Sequence, residues 1–317
     1  MAVRKSDWLT SLGLRASGPD GVPTTKLSER FIRGICLVSA LLSIVTTFGI
    51  IFVLFSEAIK FFTDPRISIV EFFTGTQWSP TYADAKFGIL PLISGTLLIT
   101  FGGALIALPL GLLSAIYLSE YAQPNVRNIL KPILEILAGI PTVVYGYFAL
   151  FSVTPFLRQF MPKLEVYNAL SGCIVVGVMI LPLVSSLCED ALSAVPRALR
   201  EGAYALGSTK FEVTLKIVVP AALSGVMAAF ILAISRAVGE TMAVTLAAGA
   251  TPNMGWDPTK SIQTMTAYIV QISKGDTPAG TLAYLTIFSV GATLFVMTFL
   301  LNILAARLVK RYRQVYK

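Results

Sequence analysis

Five stretches of this chain run for more than twenty residues without a single charge: Gly34–Ser56, Phe87–Ser119, Ile136–Leu157, Val166–Cys188 and Thr277–Ala306. A sixth, Ala221–Gly249, contains only Arg236 and Glu240. A helix needs about 20 apolar residues to cross a bilayer. In hydrocarbon the backbone must satisfy its own hydrogen bonds, which leaves helices or closed barrels. Runs of this length predict six helices and an all-α polytopic membrane protein. The 13% of charged residues supports this, against about 25% in soluble domains. The second window is too long for one upright helix, so part of it must tilt or leave the core. Pro91, Pro109, Pro141, Pro155 and Pro182 fall inside the windows and predict a packed bundle with kinks.

Charge sets an expected orientation. With both termini on one side, 17 of the 25 Lys and Arg residues fall on that side and 7 on the other, Arg236 being the remaining one. The positive-inside rule makes the richer side cytoplasmic. The net charge of +8 then sits beside anionic lipid headgroups, so basicity needs no nucleic acid. The expected divisions are a cytoplasmic tail (1–33), a first span (34–56), a transmembrane domain (87–306) with a cytoplasmic loop (189–219), and a basic cytoplasmic tail (307–317). The first apolar run exceeds a signal-peptide core of about 7–15 residues. Cys36, Cys173 and Cys188 show no paired spacing and read as small packing residues.

Arg236 and Glu240 are the exception to the apolar pattern. A charge at membrane depth costs at least about 2.5–3.5 kcal/mol. On an unbroken helix they share a face at i,i+4, so both can point into one polar path. They form either a substrate site or a packing lock. Arg before Glu is the weaker order for helix stabilisation, and a buried pair is poor support for stability. Gly239 lies between them and would let a solute approach the backbone. Gly102, Gly103, Gly111, Gly139, Gly146 and Gly225 read as points of close helix approach.

Absences narrow the chemistry. The chain has no histidine, which removes imidazole acid–base work. It has no Gly-x-x-x-x-Gly-Lys-Ser/Thr phosphate loop. No nucleophile, base and metal-ligand set stands out, so no catalytic residue, cofactor or metal is expected. Any ATP-driven transport requires another chain to bind the nucleotide. The loop Glu189–Val219 offers a place for such a partner. Its apolar residues recur near helical spacing, and Pro196 and Gly207 divide it into short helices. Its surface suits docking in a partner's groove, or lying on the membrane interface.

The string Glu201-Gly-Ala-Tyr-Ala-Leu-Gly207, nine residues, then Ile217-Val-Val-Pro220 resembles the EAA loop of binding-protein-dependent ABC importer permeases. Gly202 stands where Ala is usual and Val219 where Leu is usual. The resemblance implies a type I importer permease fold, with Glu201, Gly202, Ala203, Gly207, Ile217 and Pro220 in a loop that couples to an ATPase. Ser235-Arg-Ala-Val-Gly-Glu-Thr-Met242, Ala138-Gly-Ile-Pro-Thr-Val-Val-Tyr-Gly146 and Phe87-Gly-Ile-Leu-Pro-Leu-Ile-Ser-Gly-Thr96 resemble the phosphate-specific permeases, of the PstC type more than the PstA type. That implies a bacterial inner-membrane complex. Its other members are a second permease resembling PstA, two ATPase subunits resembling PstB and an extracytoplasmic phosphate-binding protein resembling PstS. Arg236, Glu240 and Gly239 are then the expected substrate path, with the Arg fork suited to an oxyanion. A permease for molybdate or sulfate, or a secondary transporter, is the alternative.

Smaller expectations complete the reading. Trp78 and Tyr82 suit interfacial anchors or partner contacts. Ser261–Ile272 suits a short amphipathic helix at the outer surface. Lys131 and Glu135, four apart, suit a solvated pair.

Overall fold

The computed structural model describes residues 26–82, 84–275 and 277–312. Most of the expected N-terminal tail and the end of the C-terminal one lie outside the described residues. Among the described residues there is no strand, only an isolated bridge between Trp78 and Phe87. Four helices are long and apolar enough to cross a membrane, and two sharply bent helix pairs bring the number to six.

The chain forms two compact units, divided between Leu54 and Phe55. The first consists, where described, of helix α1 (Lys26–Phe62) up to that point. Every residue from Phe31 to Ile50 is exposed. Exposed apolar side chains along this stretch are what a helix solvated by lipid presents.

The second unit is built on α3 (Leu90–Ile116), extended by a π-turn at Tyr117–Tyr121, and α7 (Ala169–Ser193). They pack along their length. A Cβ on Gly103 would meet Val176 at 3.0 Å, and one on Gly111 would meet Val184 at 2.6 Å. Farther along, Ser185 Oγ donates to Ser114 Oγ at 3.0 Å. Residue numbers rise together on both helices, so the pair is parallel. Small residues let the backbones approach closely enough for dispersion contacts to hold helices that lipid does not push together.

A parallel pair requires the chain to return between them. The return is α4 (Pro124–Ala138), an 89° bend at Gly139–Pro141, α5 (Thr142–Phe148), a π-turn, and α6 (Thr154–Arg158). Ile140 precedes Pro141, whose ring disfavours helical backbone at that residue. The span expected over Ile136–Leu157 is therefore bent near its start, at one of the prolines that predict a kink. α4 has no buried residue.

After α7 the chain makes α8 (Arg197–Ala205), α9 (Lys210–Val213), a π-turn at Thr214–Val218 and α10 (Val219–Ala221). A 69° bend leads into α11 (Leu223–Val238). Pro220 has no N–H to donate, and the wide turn before it accommodates that loss. α11 runs back along α7, and Gly225 lies where a Cβ would meet Ala191 at 2.6 Å. Then follow α12 (Met242–Ala248), α13 (Met265–Lys274) and α14 (Leu282–Tyr312).

One end of this unit is an aromatic and polar plug. α2 (Ile69–Thr74) contributes Phe72 to a cluster with Phe61, Trp78 and Tyr268. Trp78 meets Tyr268 edge-on at 5.0 Å. Trp78 is 4% exposed, so it is core and not an interfacial anchor, whereas Tyr82 is exposed. In the turn after α1, hydrogen bonds from Arg66 hold the Asp64 carboxyl down at about 2. The expected helix over Ser261–Ile272 begins instead at Met265. Ser261–Thr264 is buried non-helical chain, with Ser261 N–H donating to Glu165 Oε2 at 2.7 Å and Met265 N–H to Thr96 Oγ1 at 3.1 Å. Thr264 accepts from Ala267 N–H and so caps α13. Such bonds satisfy backbone groups that no ladder serves.

Candidate functional site

The helix carrying Arg236 stops at Val238. Gly239 ends it, Glu240 and Thr241 lie in the interruption, and α12 starts afresh at Met242. Arg236 and Glu240 therefore do not share the face of one continuous helix, and among the described residues no ion pair joins them. Glu240 has another task. Its Oε1 accepts the N–H of Ala243 at 3.2 Å, capping α12 with a carboxylate at the positive end of the helix dipole. Its carbonyl accepts from Thr266 Oγ1 at 2.7 Å, tying the interruption to α13.

Arg236 is left without an acidic partner among the described residues. Leu232, Arg236 and Gly239 follow one another at helical spacing on one side of α11, and all three are exposed. A Cβ on Gly239 would meet only carbonyl oxygens of its own helix, at 3.8 Å. Its smallness thus leaves an opening and fills no packing need. Measured from Leu223, Arg236 lies about 20 Å along the helix at 1.5 Å per residue. The Tyr145 hydroxyl, on the neighbouring α5, donates to the Leu137 carbonyl at 2.8 Å.

Two of the quoted strings meet here. α5 packs on α12; a Cβ on Gly146 would come within 2.8 Å of Leu246 Cβ. The segment 138–146 and the segment 235–242 thus border one interruption. Tyr145 and Thr266 belong to this neighbourhood, although no spacing rule links either to Arg236.

The loop residues divide into two groups. Glu201 and Gly202 are exposed, and Leu206 is 88% exposed at the end of α8. Ala203 is 5% exposed and packs into the chain's own core. It does not present the docking surface expected of it. Gly207, at φ 83°, closes α8 in the left-handed conformation, with its N–H on the Tyr204 carbonyl. Thr209 and Glu212 form a capping box for α9. Ile217 lies half-buried in the π-turn, and exposed Pro220 precedes the bend.

Long-range ion pairs hold this end of the unit together. Glu189, with a side chain only 1% exposed, takes Arg127 and, at 2.7 Å, Lys131. Lys131 also reaches Asp190 at 3.0 Å, so the pairing expected with Glu135 is not formed. Glu120 accepts from Arg200 at 2.9 Å. Sequence spacing gives no hint of partners about sixty to eighty positions apart; the only signal was a carboxylate at the edge of an apolar window.

Comparison with known proteins agrees with this architecture. Residues 107–314 match the family described as "Binding-protein-dependent transport system inner membrane component". The chain is 38% identical over 282 residues to a probable ABC transporter permease protein, YqgH, of Bacillus subtilis, covering 88% of this chain and 91% of that one. It is 30% identical over 317 residues to the phosphate transport system permease protein PstC of Mesorhizobium japonicum, covering 94% and 95%. A chain from the crystal structure of a bacterial ABC transporter involved in the import of the acidic polysaccharide alginate superposes with a TM-score of 0.55 at 16% identity, covering 91% of this chain and 100% of that one. With a polytopic helical unit, a short exposed helix between two bent or long spans, and a match over most of its length, the chain belongs to the inner-membrane components of binding-protein-dependent transport systems.

Proposed function

We propose that this chain is the permease subunit of an ATP-driven importer that carries inorganic phosphate across a bacterial inner membrane. Similarity over nearly the full length to phosphate transport permeases supports the class of solute. The single observation that carries the local reading is Arg236: an exposed guanidinium, without an acidic partner among the described residues, within one half of a candidate span. Such a charge is costly against lipid, so the face that bears it belongs against another polar surface. A second permease subunit, like PstA, supplies that surface, and the path runs between the two. The planar fork of Arg236 then meets an oxyanion through charge-assisted hydrogen bonds. Gly239 leaves room beside it. Glu240 acts by holding the helix interruption in shape, since its carboxylate is engaged with α12.

The remaining assignments follow the same reading. One of two ATPase subunits of the PstB kind binds at α8 through Glu201, Gly202 and Leu206, the other at the second permease, and a phosphate-binding protein of the PstS kind delivers solute from outside. Gly207, Ile217 and Pro220 shape the coupling loop 189–219. Both termini are cytoplasmic, as the basic flanks 1–33 and 307–317 favour; 34–56 is the first span, and 87–306 the transporting domain.

The test is phosphate uptake by the reconstituted complex. Arg236→Gln abolishes uptake and leaves complex yield intact. Arg236→Lys keeps charge without the fork and loses roughly tenfold in apparent affinity, as removal of one charged hydrogen bond does. Undiminished uptake by Arg236→Gln would remove the substrate-path role. Import of molybdate or sulfate in preference to phosphate by the unaltered complex would replace the solute.

A further inference from the structure

We infer that the buried carboxylate of Glu120, through Arg200, fastens α8 to the helix bundle so that the two move as one body, which makes this pair positioning residues for energy coupling, while Glu189 ties α4 to α7 beside it. The inference rests on the reading of α8 as the ATPase-facing element.

α8 follows α7 through a turn of three residues, Ala194–Pro196. Ala203 is its only buried residue, so little apolar surface holds it down. The polar attachment is extensive. Arg200, on α8, donates to Glu120 Oε1 at 2.9 Å, to the Leu192 carbonyl at 2.8 Å and to the Val195 carbonyl at 2.6 Å. One guanidinium thus joins α8, the end of α7, the intervening turn and the π-turn that closes α3. The Glu120 side chain is 6% exposed, and that of Arg200 is 16%. Beside this link, Glu189 on α7 holds Arg127 and Lys131 of α4, and Ser193 Oγ donates to it at 3.0 Å. Three spanning elements and the short helix therefore converge on two carboxylates.

Burial makes the arrangement stiff. Charge-assisted bonds in a low-dielectric site are strong and directional, and separating them exposes an unpaired buried charge. A hinge at Ala194–Pro196 would let α8 swing without moving α3 or α7; the Arg200 contacts bridge that hinge on both sides. A cavity of about 490 Å³ lies alongside, lined by Ser119, Glu120, Arg127, Arg197, Arg200 and Tyr204 among others. Two of its cations, Arg127 and Arg200, are already held by carboxylates. The cavity leaves space for displacement around a braced joint.

The experiment uses the full complex, with second permease, ATPase and binding protein, in proteoliposomes. Glu120→Gln/Arg200→Gln removes both charges together and orphans neither. The expected result is an unchanged complex yield and continued ATP hydrolysis, with phosphate imported per ATP falling by about tenfold, within the range of ordinary coupling energies. Arg200→Lys retains one contact of three and gives an intermediate ratio. An unchanged ratio in the paired variant overturns the proposal. So does a fall in ratio matched by an equal fall in yield, which marks a purely structural role. Leu206→Glu, on the outward side of α8, separates the two readings. Unaltered hydrolysis in that variant removes ATPase docking at α8, whereas an unaltered import ratio in the paired variant removes only the brace.

Discussion

At the scale of single residues, the two membrane charges have parted roles. Glu240 is a helix cap in this fold, and the substitutions that preserve an acceptor should be mild. Glu240→Gln keeps an oxygen for the Ala243 N–H, whereas Glu240→Ala loses the cap, at a cost of about 1 kcal/mol. Thermal unfolding of the purified complex should rank them in that order; equal melting temperatures would show that the cap is idle. Exchanging the two charges should fail on structural grounds, because it sets a cation at the start of α12. Gly239→Ala meets no steric obstacle in this chain, so reduced uptake without reduced stability would locate the solute beside it. The charges themselves were legible in the sequence, but their relation was not. Periodicity assumes a continuous helix, and the interruption at Gly239–Thr241 cancels the i,i+4 argument.

At the scale of elements, the segment 189–219 shows breaks where Pro196 and Gly207 predict them, and a residue, Ala203, that faces inward where an outward face is expected. Pro196, Gly207 and Pro220 mark real boundaries, each for a backbone reason. Ala203 falls on the inner side of α8, which nine residues of mixed composition do not disclose. Ala203→Arg should therefore damage this chain's own packing, with loss of about 1–3 kcal/mol from overpacking and a lower yield of folded protein. Leu206→Glu should leave the yield unchanged and depress hydrolysis. The opposite pattern would reverse the orientation of α8. The α3–α7 pair offers a second check. Gly111→Val places atoms where Val184 already stands, and should cost a comparable 1–3 kcal/mol or so, read as a lowered melting temperature in detergent. A full-strength Gly111→Val protein would contradict the close parallel packing.

At the scale of the whole molecule, the length of apolar runs predicts six crossings, and the described residues supply four helices long enough to cross and two bent pairs. The bends could be suspected from Pro141 and Pro220, but the plug of Phe61, Phe72, Trp78 and Tyr268 could not. It joins residues about two hundred positions apart, and only their size and apolarity hinted at burial. The ionic brace was equally hidden. Among the described residues nothing covers the face bearing Arg236. If the proposed second permease covers that face, a copy made in excess would carry the cation into lipid, or draw water and headgroups towards it. Either condition should expose the molecule to membrane proteases. Expressed without its companions, the chain should be short-lived, and Arg236→Leu should lengthen its half-life in a pulse-chase measurement. Equal decay of the two would mean that the bare cation is tolerated. The charge proposed to greet the solute would otherwise also serve as a stoichiometry mark, erased only when assembly covers it.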